Sequence, residues 1–212
     1  MKTSTQVVVI GGGVVGASIL YHLTKAGWTD VVLVERKELT AGSTWHAAGG
    51  MLTLNGDPNI AALQRYTVQL YKDIEEISGV SCGIHQTGEL MLADTEERLD
   101  WLRMINARGQ YLSMETEMIS VSEAKEMLPI LEEKHFAGAM WDPVGGHVDP
   151  SGVTNAYAAA ARMAGAEVYR NTWAHDLVQK NDGTWDVVTE QGTINTEHIV
   201  NCGGLWAREV GR

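Results

Sequence analysis

Four apolar residues in a row, Val7-Val8-Val9-Ile10, predict a strand buried on both faces, as in a parallel sheet. Gly11-Gly12-Gly13-Val14-Val15-Gly16 follows, and Ile19, Leu20 and Leu23 then recur at helical spacing. Lys25 in the last turn and Gly27 just beyond it give that helix its stop. Val31-Val34 predicts a second buried strand ending on Glu35. From Arg36 to Gly56 the apolar stripe disappears and Gly, Ser, Thr and Ala take over. Asp57 and Pro58 then open a long helix through Ile60, Leu63, Thr67, Leu70, Ile74 and Ile77, closed by Gly79. A short strand is predicted over Glu89-Leu92, with helices over Thr95-Asn106 and Ser122-Leu128, the second halted by Pro129. Asp149-Pro150-Ser151 begins a helix that runs to Ala164 and stops at Gly165, before a third parallel strand over Ala166-Arg170. A meander is predicted over Trp173-Gln179, Thr184-Thr189 and Thr193-Thr196, turned by Asn181-Asp182-Gly183 and Gln191-Gly192. A separate buried strand, His198-Cys202, leads into Gly203-Gly204.

This order predicts an α/β chain: a Rossmann-like part over 1–56 and 149–212 with a β-meander, and an inserted α+β portion over 57–148. The glycine turn has the mechanics of a dinucleotide site. Gly11 permits the tight turn, Gly13 lets backbone approach a pyrophosphate, and Gly16 brings helix against strand. The pyrophosphate would sit on the helix N-terminus, and Glu35, nineteen residues after Gly16, is placed to accept from a ribose diol. A GxGxxG alone is weak; two strands, a helix and an acid in register around it are not.

Composition narrows the partners. A formal net charge of −11 without a basic run longer than two residues argues against nucleic acid. No apolar run reaches the length of a membrane span, and the first residues lead straight into a strand without a transit segment. The expected setting is therefore a bacterial cytoplasm, or the mitochondrial matrix if the source is eukaryotic. Cys82 and Cys202 lack CxxC or histidine spacing and read as reduced thiols. His147-Val148-Asp149 lacks a third metal ligand, so no metal site is predicted.

Six stretches together carry a resemblance: GGGVVGASILYHL, VVLVER, ELTAGSTWHAAG, GGHVDP, DGTWDV and IVNCGGLWAREVG. The chain resembles the flavin-dependent oxidoreductases of the D-amino-acid-oxidase superfamily, and within it the dimethylglycine and sarcosine dehydrogenases. The resemblance implies an FAD-binding domain of the glutathione-reductase/D-amino-acid-oxidase type. It implies FAD contacts at Gly11, Gly13, Val14, Val15 and Gly16, at Glu35 and Arg36, and along Gly42, Ser43, Thr44, Trp45, His46, Ala47, Ala48, Gly49 and Gly50. It adds Ala174, Gly203, Gly204 and Trp206. Read on spacing alone, His46 is a loop histidine. The resemblance instead makes it the residue joined covalently to the flavin 8α-methyl, for which neutral imidazole is a competent nucleophile.

The implied reaction is oxidative demethylation of a small N-methylated glycine derivative. An electron-transfer flavoprotein or oxygen would take the electrons, and tetrahydrofolate would bind only a C-terminal half absent from this sequence. A chain carrying only the FAD-attachment half is expected to be inactive alone. Two other readings stay open: a glycine-oxidase-like enzyme holding FAD noncovalently, and a non-catalytic regulatory homologue.

Overall fold

The computed structural model describes all 212 residues. In chain order the elements are β1 (Ser4–Ile10), α1 (Val14–Lys25), β2 (Val31–Val34), β3 (Gly50–Met51), α2 (Pro58–Ser78), β4 (Glu89–Ala93), α3 (Glu96–Tyr111), β5 (Glu117–Ile119) and α4 (Val121–Met127). There follow β6 (Gly138–Asp142), β7 (Gly146–His147), α5 (Pro150–Met163), β8 (Glu167–Tyr169), β9 (Ala174–Gln179), β10 (Trp185–Thr189), β11 (Gly192–Asn201) and α6 (Ala207–Val210). They form two compact units, one of residues 1–48, 71–83 and 149–212, the other of residues 49–70 and 84–148.

The first unit is built on one six-stranded sheet in the order β8-β2-β1-β11-β10-β9. Strands β8, β2, β1 and β11 are parallel neighbours, and the meander returns antiparallel through β10 and β9. Every residue of β2, and Val7 to Ile10 of β1, is buried, which is why both strands read as unbroken apolar runs. Val8, Ile10, Val32 and Val34 share a core cluster with Val187 and Ile194 of the meander. Helices α1 and α5 pack together through Leu20, Tyr21, Ala156 and Tyr157, with the two tyrosine rings 5.6 Å apart. The Cys82 thiol is buried here, and desolvation, then the nearby Glu75 and Asp149 carboxylates, pushes it up to about 11, so it stays an unreactive thiol.

In one place the meander differs from expectation. The predicted strands Thr193-Thr196 and His198-Cys202 are a single ten-residue strand, β11. Its early part pairs antiparallel with β10, and from Asn195 onward it pairs parallel with β1. The polar run Asn195-Thr196-Glu197 looks like a break in the apolar pattern. It is not one, because the buried Thr196 hydroxyl bonds to the carbonyls of Gln6 and His198, each at 3.0 Å, so the strand carries its polar group satisfied.

The second unit holds a three-stranded antiparallel sheet, β4-β6-β5, and the two-residue ladder of β3 with β7. Its main cluster is Ala93, Leu99, Leu102 and Met140. Strands β5 and β6 carry no alternation that would have announced them. Helix α3 runs past the expected end at Asn106 to Tyr111. Gly109 in its last turn lies where a Cβ would sit 2.8 Å from Thr116 Oγ1, so the helix uses it for a close approach. Helix α4 starts one residue early because Ser120, not Ser122, caps it, in a reciprocal box with Glu123.

Within this unit Glu89 stands directly across from Asp142, which is 1% exposed. Asp142 accepts hydrogen bonds from Thr53 Oγ1 and the Val144 amide, whereas Glu89 Oε2 is buried without a partner. Burial first, and the Asp142 charge second, hold the Glu89 carboxyl above the usual carboxylate range. A carboxyl raised by folding stabilises while protonated, and that contribution is lost as pH rises through its folded value. Glu89→Gln should therefore gain stability relative to the parent as pH increases from acid to neutral, read by urea denaturation at several pH values; parallel pH profiles would contradict this.

Candidate functional site

The site in the first unit starts with backbone that has no room for side chains. Gly11 has φ +113°, and a Cβ there would lie 2.3 Å from the Cys202 carbonyl oxygen at the end of β11. A Cβ on Gly16 would lie 1.9 Å from the Gly11 carbonyl oxygen. These contacts bring the first turn of α1 down onto the tips of β1 and β11.

That helix end differs from those of the other long helices. Asp57 caps α2, Thr95 caps α3, Ser120 caps α4 and Asp149 caps α5. Gly13 at the head of α1 offers no side chain, and the first turn has no acidic residue. First-turn amides have no partner inside a helix, and their partial positive charge favours an anion. Val15 in this turn is 61% exposed. One amide is taken from a distance: the Val14 N–H donates to Thr44 Oγ1 at 3.0 Å. Thr44 thereby ties the Thr44–His46 3₁₀ turn to the head of α1.

Glu35 sits at the end of β2 with its carboxylate already oriented. Oε2 accepts from the Gly12 amide at 2.7 Å and Oε1 from the Lys37 amide at 2.8 Å. Two backbone donors leave acceptor capacity for hydroxyls on a carboxylate with roughly four lone-pair sites. The loop after β8 is fastened beside it by Thr172 N–H to the Glu35 carbonyl and Asn171 N–H to the Lys37 carbonyl, and Ala174 begins β9 two residues later. The Arg36 guanidinium stacks 3.9 Å from the ring of Trp206, and a Cβ on Gly42 would lie 3.6 Å from the same indole. Arg36, Gly42 and Trp206 are therefore brought together. Gly203 and Gly204 form the turn that carries Trp206, and Gly204 has φ +56°.

His46 is exposed on its 3₁₀ turn with Trp45 against it, ring centroids 3.8 Å apart. Its Nδ1 lies 3.1 Å from the Gly42 carbonyl oxygen, which makes Nδ1 the protonated nitrogen and leaves the Nε2 lone pair unengaged. Ser43, Ala47 and Ala48 are exposed around it. Gly49 and Gly50 belong to the second unit, where the Gly49 carbonyl accepts from Val148 and Gly50 pairs with His147.

Three contributors had no sequence signal strong enough to single them out. Gly12 approaches Glu35 so closely that a Cβ would lie 2.9 Å from that side chain. Thr40 has φ 72°, unusual for a β-branched residue, and its amide bonds to the Gly12 carbonyl at 3.0 Å. Cys202 acts at Gly11 through its backbone carbonyl. A positive-φ threonine and a carbonyl contact leave no mark in a residue pattern.

Such a site fits an adenine dinucleotide: a helix N-terminus whose own cap residue is a bare glycine, a carboxylate held by two backbone amides and a glycine-lined cradle between them. Comparison with known proteins agrees. The family described as "FAD dependent oxidoreductase" (DAO) matches residues 6–212. Human mitochondrial dimethylglycine dehydrogenase is 41% identical across 100% of the chain and 24% of its own length. Human mitochondrial sarcosine dehydrogenase is 35% identical, and the mouse mitochondrial pyruvate dehydrogenase phosphatase regulatory subunit 37%, each across 100% of the chain and 24% of the relative. The chain thus spans about a quarter of the length of these curated relatives. Among solved structures, L-proline dehydrogenase from P. horikoshii superposes with a TM-score of 0.90 at 29% identity, covering 100% of the chain and 56% of the other. Glycine oxidase from Geobacillus kaustophilus gives 0.85 at 29%, covering 99% and 58%.

Removing the Thr44 hydroxyl orphans the Val14 amide. Thr44→Val should lower the unfolding free energy by about 0.5–2 kcal/mol, the usual effect of deleting a helix cap, while Thr44→Ser should retain most of it. Chemical denaturation checks both, and equal losses in the two variants would show that the hydroxyl is not the group that matters.

Proposed function

The chain belongs to the FAD dependent oxidoreductase family, and from that premise we propose that it carries the FAD-attachment half of an enzyme that oxidatively demethylates small N-methylated glycine derivatives. The observation that carries this reading is the 41% identity to dimethylglycine dehydrogenase along the whole chain.

In this reading the turn Gly11 to Gly16, with Val14 and Val15 at the head of α1, holds the diphosphate, the Val14 amide being already engaged by Thr44. Glu35 accepts from the adenosine ribose, and Arg36 with Trp206 flanks the adenosine end beside Ala174. The hydroxyls of Ser43 and Thr44 lie toward the phosphates, and the small residues Gly42, Ala47, Ala48, Gly49 and Gly50 admit the ring system. When bound, FAD supplies a two-electron acceptor for the hydride equivalent leaving an N-methyl carbon, and hydrolysis of the substrate iminium gives formaldehyde and the demethylated amine. The protein's own part is orientation. The Gly42 carbonyl engages His46 Nδ1 and the Trp45 ring lies against the imidazole, which leaves Nε2 as the nucleophile that would form the covalent linkage. His46 would hold the flavin through this linkage, losing its Nδ1 proton, with the flavin itself taking up the two electrons that bond formation releases. A covalent tether also prevents loss of the cofactor. Tetrahydrofolate as one-carbon acceptor and an electron-transfer flavoprotein as oxidant complete the proposal for the longer protein.

A second reading has a specific observation behind it: 37% identity to a phosphatase regulatory subunit, which favours a homologue whose role is regulatory. A glycine-oxidase-like enzyme with noncovalent FAD is separated from both by its product, ammonia in place of formaldehyde.

Denatured protein run on a gel and viewed under ultraviolet light in acid distinguishes these. The parent chain should give a fluorescent flavin band, and His46→Ala should give none while still binding FAD noncovalently. A dark parent band with FAD recovered in the supernatant would remove the covalent assignment, and a protein that takes up no flavin would favour the regulatory reading.

A further inference from the structure

The second unit contains a cleft of about 200 Å³ lined by none of the residues assigned to the flavin. Trp101, Ile105 and Arg108 of α3 form one wall, at spacings that put them on a single flank of the helix. That flank is distinct from the one carrying the buried Leu99, Leu102, Asn106 and Gly109. Leu54 and Met91 line the cleft as well, and the backbone before α2 borders it at Gly56. Leu54, Met91 and Ile105 pack on the core cluster of Ala93, Leu99, Leu102 and Met140 yet are only partly buried. The lining is therefore apolar, firmly backed and open to solvent.

The same cleft carries a charge without a counterion. Arg108 hydrogen-bonds only through Nε, to the Gly56 carbonyl at 3.3 Å, and its guanidinium lies 5.3 Å from the exposed Tyr111 ring. No carboxylate pairs with it, whereas Arg103 on the same helix is paired with Asp100 at 2.6 Å. A chain of net charge −11 has carboxylates in excess, and none is placed here. The N–H donors of the terminal guanidinium nitrogens thus stay available beside an apolar wall. The Trp101 indole in that wall is steadied by Arg98, whose guanidinium lies 3.9 Å from the ring.

We propose that this cleft binds a small monocarboxylate with a single aromatic ring. The ring packs on Leu54, Met91 and Ile105 and against the Trp101 indole, and the carboxylate accepts hydrogen bonds from the terminal nitrogens of Arg108, a pairing whose planar geometries match. An apolar cavity of about 150 Å³ admits benzene, so the volume here takes one ring with a short acid arm. A small N-methylated glycine derivative has no apolar body to fill such a cleft. The site is therefore additional to the one proposed for demethylation and does not rest on it.

Saturation-transfer difference NMR of the whole chain with sodium phenylacetate tests the site. Saturable binding in the millimolar range is expected, the strength open to a ligand this small. Phenylacetamide, the same body without the charge, should bind at least about fivefold more weakly. Arg108→Gln should bring phenylacetate down to the level of phenylacetamide, Arg108→Lys should recover part of the loss, and Arg103→Gln should bind as the parent. Because Arg108 is exposed, circular dichroism should show its variants folded as the parent. Absence of saturation, equal binding of phenylacetate and phenylacetamide, or an Arg108→Gln variant that binds as the parent would each overturn the site. Phenylacetate held instead at the head of α1 would survive Arg108→Gln and be displaced by ADP, which overturns it equally.

Discussion

The absence of Cβ atoms at Gly11 and Gly16 is the constraint from which the rest of the first unit follows. Any larger residue at 16 would drive a methyl into the carbonyl of Gly11, and any at 11 would drive one into that of Cys202. Only with both positions bare can α1 begin at the tips of β1 and β11. Once it does, Gly12 lies against Glu35, the Gly12 carbonyl receives the Thr40 amide, and Thr44 reaches back to Val14. The end of β2 and the loop after it are thus registered on one helix end, through the Glu35 and Thr44 side-chain oxygens and the Thr40 amide.

The electrostatics follow the same logic. A chain of net charge −11 is a poor general binder of anions. Its other long helices either place an acid in the first turn or cap it with Asp, Ser or Thr, satisfying their own dipoles. Helix α1 does neither with its own residues, and the one side chain that reaches its first turn is the neutral Thr44 hydroxyl from the following loop. A helix end suited to an anion therefore sits on a chain whose net charge disfavours anions in general.

Much of this was legible in the sequence because it depended on local rules. The buried parallel strands declared themselves as unbroken apolar runs, the helices by caps such as Asp57 and Asp149, and the nucleotide turn by glycine spacing. What stayed hidden depended on partners distant in the chain. Strand β11 looked broken because the buried Thr196 finds its hydrogen bond on β1, 190 residues away. Strands β5 and β6 have no alternation because β6 is nearly all buried between two neighbours. Glu35 and His46 could be put forward from register and motif, whereas the Thr40 and Thr44 contacts required the loop to be folded.

The central claim is that the head of α1 is a diphosphate site. Fluorescence titration of the parent chain with FAD and with riboflavin tests it most directly, since the two share the ring system and differ in the adenosine diphosphate. The account predicts saturable binding of FAD, far weaker binding of riboflavin, and displacement of FAD by ADP. Equal binding of FAD and riboflavin, with no competition by ADP, would contradict it.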